Sequence, residues 1–207
     1  MTKKPETVKE EDLIQRKDGL YYVKYARVPF TGISEEFYGN GQGPLRTKGN
    51  YKNGELHGPY EWFYENGQLE SRNNYNYGVR EGLGKYYHEN GQLKQKGNYK
   101  DGEQEGLWED FDENGDLRTK EYYKNGELYG PRESFKKNGQ LQNRTNYKNG
   151  KQHGPEEWFH DSGQLESKAN FKNGKQHGIG NYTSASGKSK QGEWSEGKRL
   201  HWLQSDK

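Results

Sequence analysis

The sequence predicts an all-β fold, an elongated single-layer antiparallel sheet built from tandem two-strand repeats of about 24 residues, and three observations carry that prediction. One turn phrase recurs in nearly the same words: Asn66-Gly67-Gln68-Leu69, Asn90-Gly91-Gln92-Leu93, Asn114-Gly115-Asp116-Leu117, Asn138-Gly139-Gln140-Leu141 and Ser162-Gly163-Gln164-Leu165. A second glycine turn falls between them: Lys52-Asn53-Gly54, Lys100-Asp101-Gly102, Lys124-Asn125-Gly126, Lys148-Asn149-Gly150 and Lys172-Asn173-Gly174. Between the turns, aromatic residues keep a fixed phase, as in the columns Phe63, Tyr87, Phe111, Phe135, Phe159 and Tyr51, Tyr75, Tyr99, Tyr123, Tyr147, Phe171. Two glycine turns per period leave room for two antiparallel strands.

Taken in order, residues 1–11 carry no structure signal and are expected to form a disordered tail. Residues 12–48 read as a divergent capping repeat, in which Lys17-Asp18-Gly19 makes a hairpin that closes the first edge. Within it, Phe30-Thr31-Gly32 through Gln42 parallels Leu56-His57-Gly58 through Gln68, and Gly43-Pro44 is an insertion, a bulge or a longer turn. The array proper runs over residues 49–192. In its type unit residues 59–65 form the first strand, Asn66-Gly67 the hairpin turn in which both residues tolerate positive φ, and residues 68–75 the second strand. Period-2 alternation puts Pro59, Glu61 and Phe63 on one side, so that face is not cleanly dry and the core is a thin aromatic seam. A third glycine column, Gly58, Gly82, Gly106, Gly130, Gly154 and Gly178, marks the passage into the next unit. Tyr77 stands where other second turns have Asn, and Gly84 and Gly180 stand where other units have a side chain: a bend, a recognition position, or drift. Residues 193–207 form a C-terminal cap and tail, the cap drawn from Trp194, Leu200, Trp202 and Leu203.

Composition narrows the function classes. A mean hydropathy of −1.55 is near that of disordered chains, but a net charge of only +2 and phased aromatics oppose disorder. The chain has no cysteine, hence no disulfide, no thiolate metal site and no thiol nucleophile. The balance of 33 basic and 31 acidic residues disfavours nucleic acid as a partner. No stretch reaches the roughly 18 apolar residues of a membrane span, and the basic start has no apolar run behind it, so the expectation is cytoplasmic, with periplasmic or secreted locations left open.

Catalysis is not expected, and neither is a cofactor. His57, His153 and His177 share one repeat position, which spaces adjacent members about 10 Å apart, too far to share one metal ion. The column Glu61, Glu109, Glu133, Glu157, interrupted by Lys85, is dispersed by the same period and reads as a solvated face. No nucleophile elbow or phosphate loop is present.

Two surfaces are candidates for binding. The first comprises aromatics that vary between units and so are not demanded by the stack: Tyr60, Trp62, Tyr86, Trp108 and Trp158, residue types that dominate protein interfaces. Packing over the seam is the bland alternative for them. The second is the turn row Lys52, Lys100, Lys124, Lys148 and Lys172, with Arg72, Arg118 and Arg144 nearby, which suits an anionic lipid surface or merely blocks edge pairing.

The tandem phrase Tyr-Lys-Asn-Gly-x-x-x-Gly-Pro-x-x-x-Phe/Tyr-x-x-Asn-Gly-Gln-Leu resembles the MORN repeat variant of bacteria, over about residues 12–197. The head, Asp12-Leu13-Ile14 through Asp18-Gly19-Leu20-Tyr21-Tyr22 to Val28-Pro29-Phe30-Thr31-Gly32, resembles the opening of YwqK-type antitoxins. That resemblance implies an extended antiparallel sheet and a non-enzymatic protein-binding module, an antitoxin or immunity-type protein that neutralises a partner toxin by covering it. The alternatives are a peripheral binder of anionic phospholipid head groups and a scaffold that self-associates through a terminal strand.

Overall fold

A computed structural model describes residues 6–184 and 186–203. The chain divides into two units, Met1–Glu103 with Glu113–Gly115, and Gln104–Asp112 with Asp116–Lys207. The first unit holds β1 (Glu6–Lys9), β2 (Leu13–Gln15), β3 (Tyr21–Val23), β4 (Gly32–Phe37), β5 (Leu45–Lys52), β6 (Glu55–Phe63), β7 (Leu69–Asn76), β8 (Val79–Arg80), β9 (Gly82–Tyr87) and β10 (Leu93–Lys100). The second holds β11 (Glu103–Phe111), β12 (Leu117–Lys124), β13 (Glu127–Phe135), β14 (Leu141–Lys148), β15 (Lys151–Phe159), β16 (Leu165–Lys172), β17 (Lys175–Gln176), β18 (Gly178–Thr183), β19 (Ser189–Ser195) and β20 (Lys198–Leu203). Within each unit, strands adjacent in sequence pair antiparallel, two per repeat, as expected.

The two turns of each repeat have different chemistry. At Asn53-Gly54 both residues are left-handed, φ 51° and 84°, and Asp101-Gly102, Asn125-Gly126, Asn149-Gly150 and Asn173-Gly174 repeat this, the two-residue turn that matches strand twist. Tyr77, φ 46°, occupies the same position without the tolerance of Asn. The Asn-Gly-Gln-Leu turn differs from expectation: at Asn66-Gly67 only the glycine has positive φ. Here Tyr64 N–H donates to Gln68 O and Gly67 N–H to Tyr64 O, while Asn66 Oδ1 accepts from Gln68 N–H at 2.9 Å. Asn66 therefore acts through its side chain, whose Nδ2 also donates to Glu89 O of the next repeat at 3.0 Å.

In β6, β13 and β15 the third glycine column is a bulge inside the strand, not a turn between units, while Gly82 and Gly178 open β9 and β18. Gly58, φ 98°, lies where the register slips from Gly49↔Tyr60 to Tyr51↔Leu56. The bulge turns a carbonyl out of the ladder, and an asparagine on the preceding strand collects it. Asn50 Nδ2 donates to Pro59 O at 2.7 Å, Asn74 to Leu83 O at 3.2 Å, Asn146 to Pro155 O at 3.0 Å and Asn170 to Ile179 O at 3.0 Å.

At the head, residues 6–9, expected as tail, form β1 and pair parallel with β4 from Glu6↔Gly32 to Lys9↔Glu35. Residues 1–5 lie outside the described residues. The hairpin around Lys17-Asp18-Gly19 is present as β2 and β3, but it makes its own two-stranded sheet instead of closing the edge of the array. It is held to the Asn53-Gly54 turn, with Tyr21 N–H donating to Gly54 O and Gly54 N–H to Phe30 O. Tyr21 and Phe30 pack on Tyr51 at ring distances of 5.3 and 5.7 Å. The Gly43-Pro44 insertion extends a turn in which Gly39 and Asn40 are left-handed and Tyr38 N–H donates to Pro44 O. At the C-terminal end Tyr182, Trp194 and Trp202 cluster with ring distances of 5.7 to 6.3 Å, whereas Leu200 is exposed. Residues 204–207 of the expected tail lie outside the described residues.

Candidate interaction surfaces

Register assigns each side chain to one of two faces. The first, here the aromatic face, carries Thr47, Gly49 and Tyr51 of β5, Tyr60 and Trp62 of β6, and Ser71 and Asn73 of β7. It is the drier face: Thr47, Tyr51, Tyr60, Ser71 and Asn73 are all buried. The expected seam was placed on the Pro59 side, so the assignment is corrected. The physical reason is a row of small side chains beneath the rings. A Cβ on Gly49 would lie 2.7 Å from Tyr60 Cε2, one on Gly84 2.9 Å from Tyr99 Cε2, and one on Gly192 2.6 Å from Trp194 Cη2. Tyr60 and Tyr99 each pack over a glycine of a neighbouring strand and Trp194 over a glycine of its own strand, which lets a single sheet bury aromatic area.

The five candidate aromatics differ in exposure. Trp108 is 0% and Tyr60 7% exposed, so both side chains are taken up in packing. Trp62, 4.2 Å from the Tyr60 ring, is half-buried, as is Tyr86, whose hydroxyl lies 2.7 Å from that of Tyr99. Trp158 is exposed. Burial pushes the Tyr60 hydroxyl up to about 12 and raises those of Tyr51, Tyr86 and Tyr123 as well.

The positions of this face that vary do so widely. One row reads Tyr60 and Gly84 in the first unit, then Trp108, Arg132 and Glu156 in the second; the next reads Trp62 and Tyr86, then Asp110, Ser134, Trp158 and Tyr182. Arg132 Nε donates to Glu121 Oε1 at 2.6 Å and Thr119 Oγ1 to Asp110 Oδ2 at 2.7 Å. In the first unit Glu10, just after β1, reaches Thr47 Oγ1 at 2.6 Å and the Tyr60 hydroxyl at 3.3 Å.

The opposite face hardly varies. Across the first unit the paired residues are Glu35, Lys48, Glu61, Arg72, Lys85 and Lys96; across the second they are Glu109, Lys120, Glu133, Arg144, Glu157 and Lys168. The glutamate column is thus not an isolated solvated row, since each carboxylate has a cation on a neighbouring strand. Lys48–Glu35, Arg144–Glu133 and Lys168–Glu157 close at 2.9 Å and Arg72–Glu61 at 3.5 Å. The missed signal was the cation column at the same period, Lys48, Arg72, Lys96, Lys120, Arg144, Lys168.

The turn lysines Lys52, Lys100, Lys124, Lys148 and Lys172 are all exposed. Lys52 Nζ lies 5.6 Å from the Tyr77 ring and Lys124 Nζ 5.5 Å from that of Tyr129. The arginines expected to reinforce them are engaged: Arg72 and Arg144 in the ladder and Arg118 with Asp112. Among the described residues no group of three His, Cys, Asp or Glu is placed to hold a metal ion, and no helix is long and apolar enough to cross a membrane.

This geometry defines a tandem β-hairpin repeat protein. The MORN repeat variant model matches residues 56–77, 80–101, 104–127, 128–149 and 152–173, and the MORN repeat model matches 48–59, 168–189 and 191–199. The chain belongs to the MORN repeat variant family and is a repeat-built protein-interaction module. No curated protein is significantly similar to it. Among solved structures, a chain described as the crystal structure of the GtfA/B complex bound to UDP and GlcNAc is similar at 15% identity over 60% of this chain and 22% of that one, with a TM-score of 0.19. At that TM-score the likeness bears on neither fold nor function.

Proposed function

We propose that the chain binds a partner protein through the aromatic face and, following the resemblance of its head to YwqK-type antitoxins, that the partner is a toxin neutralised by being covered. One observation carries the choice of face: in each unit the positions that differ from repeat to repeat project on the aromatic side, while the opposite side repeats a fixed charge pattern. In repeat proteins the repeated positions hold the stack and the varied ones are free for recognition. Exposed Trp158 and half-buried Trp62 and Tyr86 are the contact residues, with large area and low ordering cost.

The test is affinity capture from a lysate of the host followed by titration of the purified partner. Trp158→Ala with Trp62→Ala should weaken binding by 10-fold or more, by analogy with interface tryptophans generally, and co-expression should relieve the partner's toxicity. Unchanged affinity in a folded double variant would remove the aromatic face as the site. The rival, anionic head-group binding, draws on the five exposed turn lysines. Salt-sensitive co-sedimentation with anionic liposomes, lost on charge reversal of those lysines, would favour it instead.

A further inference from the structure

The charge ladder has one break in the first unit. Lys85 of β9 lies directly opposite Arg72 on one side and Lys96 on the other, at the position where β6 carries Glu61 and the second unit carries Glu109, Glu133 and Glu157. Like charges directly opposite on a sheet repel, and among the described residues Lys85 has no ion-pair or side-chain hydrogen-bond partner. At the corresponding positions Glu61, Glu133 and Glu157 each lie between two cations, and Asn181, uncharged, stands there beside Lys168. Here three cations fall on three neighbouring strands about 4.8 Å apart, and Arg72 is turned towards Glu61 at 3.5 Å.

We propose that this row is a docking site for an acidic segment of a partner protein, whose carboxylate takes the place over Lys85 that glutamate fills in other repeats. Charge complementarity selects that occupant. The cationic row is short and is bounded by Glu61, which repels a continuous polyanion or a charged membrane plane but leaves room for one or two carboxylates. Leu83, two residues before Lys85 on the same face, is 41% exposed and offers an apolar contact beside the charge. The segment that fits therefore alternates an acidic with an apolar residue. This surface is on the side of the sheet away from Trp62 and Tyr86, so it is independent of the partner reading above.

The probe is a fluorescein-labelled peptide of alternating Glu and Leu, with anisotropy measured at low and at physiological salt. Lys85→Glu should weaken binding about tenfold or more, Lys85→Gln should fall between, and Lys148→Glu, a turn lysine, should have no effect. Trp158→Ala should also leave peptide binding unchanged, which separates this site from the aromatic face. Lys85→Glu completes the ladder, so its melting temperature should rise; a fall would remove the ladder argument. Equal binding by Lys85→Glu, equal binding of a Gln-for-Glu peptide, or Lys85-dependent binding of phosphatidylserine vesicles without peptide binding would each overturn the proposal.

Discussion

Gly49→Ala is a small change with a sign that depends on one ring. Gly49 has no positive φ, so alanine meets no backbone strain there, and in an ordinary strand the exchange would gain about 0.5 to 1 kcal/mol from lost unfolded-state freedom. Its Cβ, however, would lie 2.7 Å from Tyr60 Cε2, 2.9 Å from Cδ2 and 3.0 Å from Ser34 Oγ. Tyr60 is buried between Gly49 and Asn73, and its ring cannot tilt away without disturbing Trp62, 4.2 Å from it. Overpacking of this kind costs about 1 to 3 kcal/mol, so the net effect should be a loss of about 1 to 2 kcal/mol. Tyr60→Ala alone should cost about 3 kcal/mol. With the ring gone the two closest contacts are gone and only the 3.0 Å approach to Ser34 Oγ, a small side chain that can turn aside, remains, so Gly49→Ala in that background should become about neutral. The double-mutant cycle should thus show a coupling of about 1 to 2 kcal/mol. Urea unfolding reads it as a shift in midpoint at constant m-value. If the two substitutions add to within about 0.5 kcal/mol, the ring does not depend on the glycine beneath it and the packing argument fails.

Three further outcomes follow from the same geometry. Asn146→Ala removes the bond to Pro155 O and should cost about 1 kcal/mol, whereas Tyr122→Asn supplies the repeat's usual donor at its bulge and should stabilise by up to about 1 kcal/mol, both read from urea midpoints. The buried tyrosines ionise late: with the Tyr60 hydroxyl raised to about 12, the stability it lends is complete below the ordinary phenol value of about 10 and is lost as pH rises through 12. Phenolate absorbance should therefore lag behind that of the urea-unfolded chain, and coincident curves would refute the burial. At Asp161 the Lys136 ammonium, 2.8 Å away, holds the carboxyl below the usual aspartate range; its contribution is present above that range and lost as pH falls through the lowered value. Carboxyl NMR titration should show Asp161 returning to the usual range in Lys136→Met.

The period gave the strand pairs and the places of both turns, because hairpin chemistry is local, and the wording of the repeat carried the resemblance to the family. What it left out needed register. Asn66-Gly67 and Asn53-Gly54 have the same letters, yet only the second adopts the left-handed pair, because the first is closed by Asn66 accepting from Gln68 N–H. Alternation places Pro59 with Glu61 and Tyr60 with Trp62, but which of the two sides is drier depends on what lies beneath the rings, Gly49 under Tyr60, and only register shows that. The cation column was present in the sequence all along, but only pairing shows that Glu61 has Lys48 and Arg72 as its neighbours. Glu6–Lys9 carries no turn or periodic signal, since a parallel edge strand takes its pattern from β4.

Why variation gathers on one side follows from what each side costs to change. On the charged face every residue of the ladder touches two strands, so one substitution alters two neighbours, and the asparagine beside it serves a bulge carbonyl that has left the ladder. Lys85 shows the consequence of a single exchange, two repulsive pairs in place of two attractive ones. On the aromatic face the demand is looser, a ring packed over a glycine at some positions and a hydrogen-bonded polar pair at others. Tyr60 over Gly49 and Arg132 with Glu121 are two solutions to the same space. A face with many solutions can drift in chemistry while the stack stays intact, and that freedom makes it the surface on which a partner's shape can be matched.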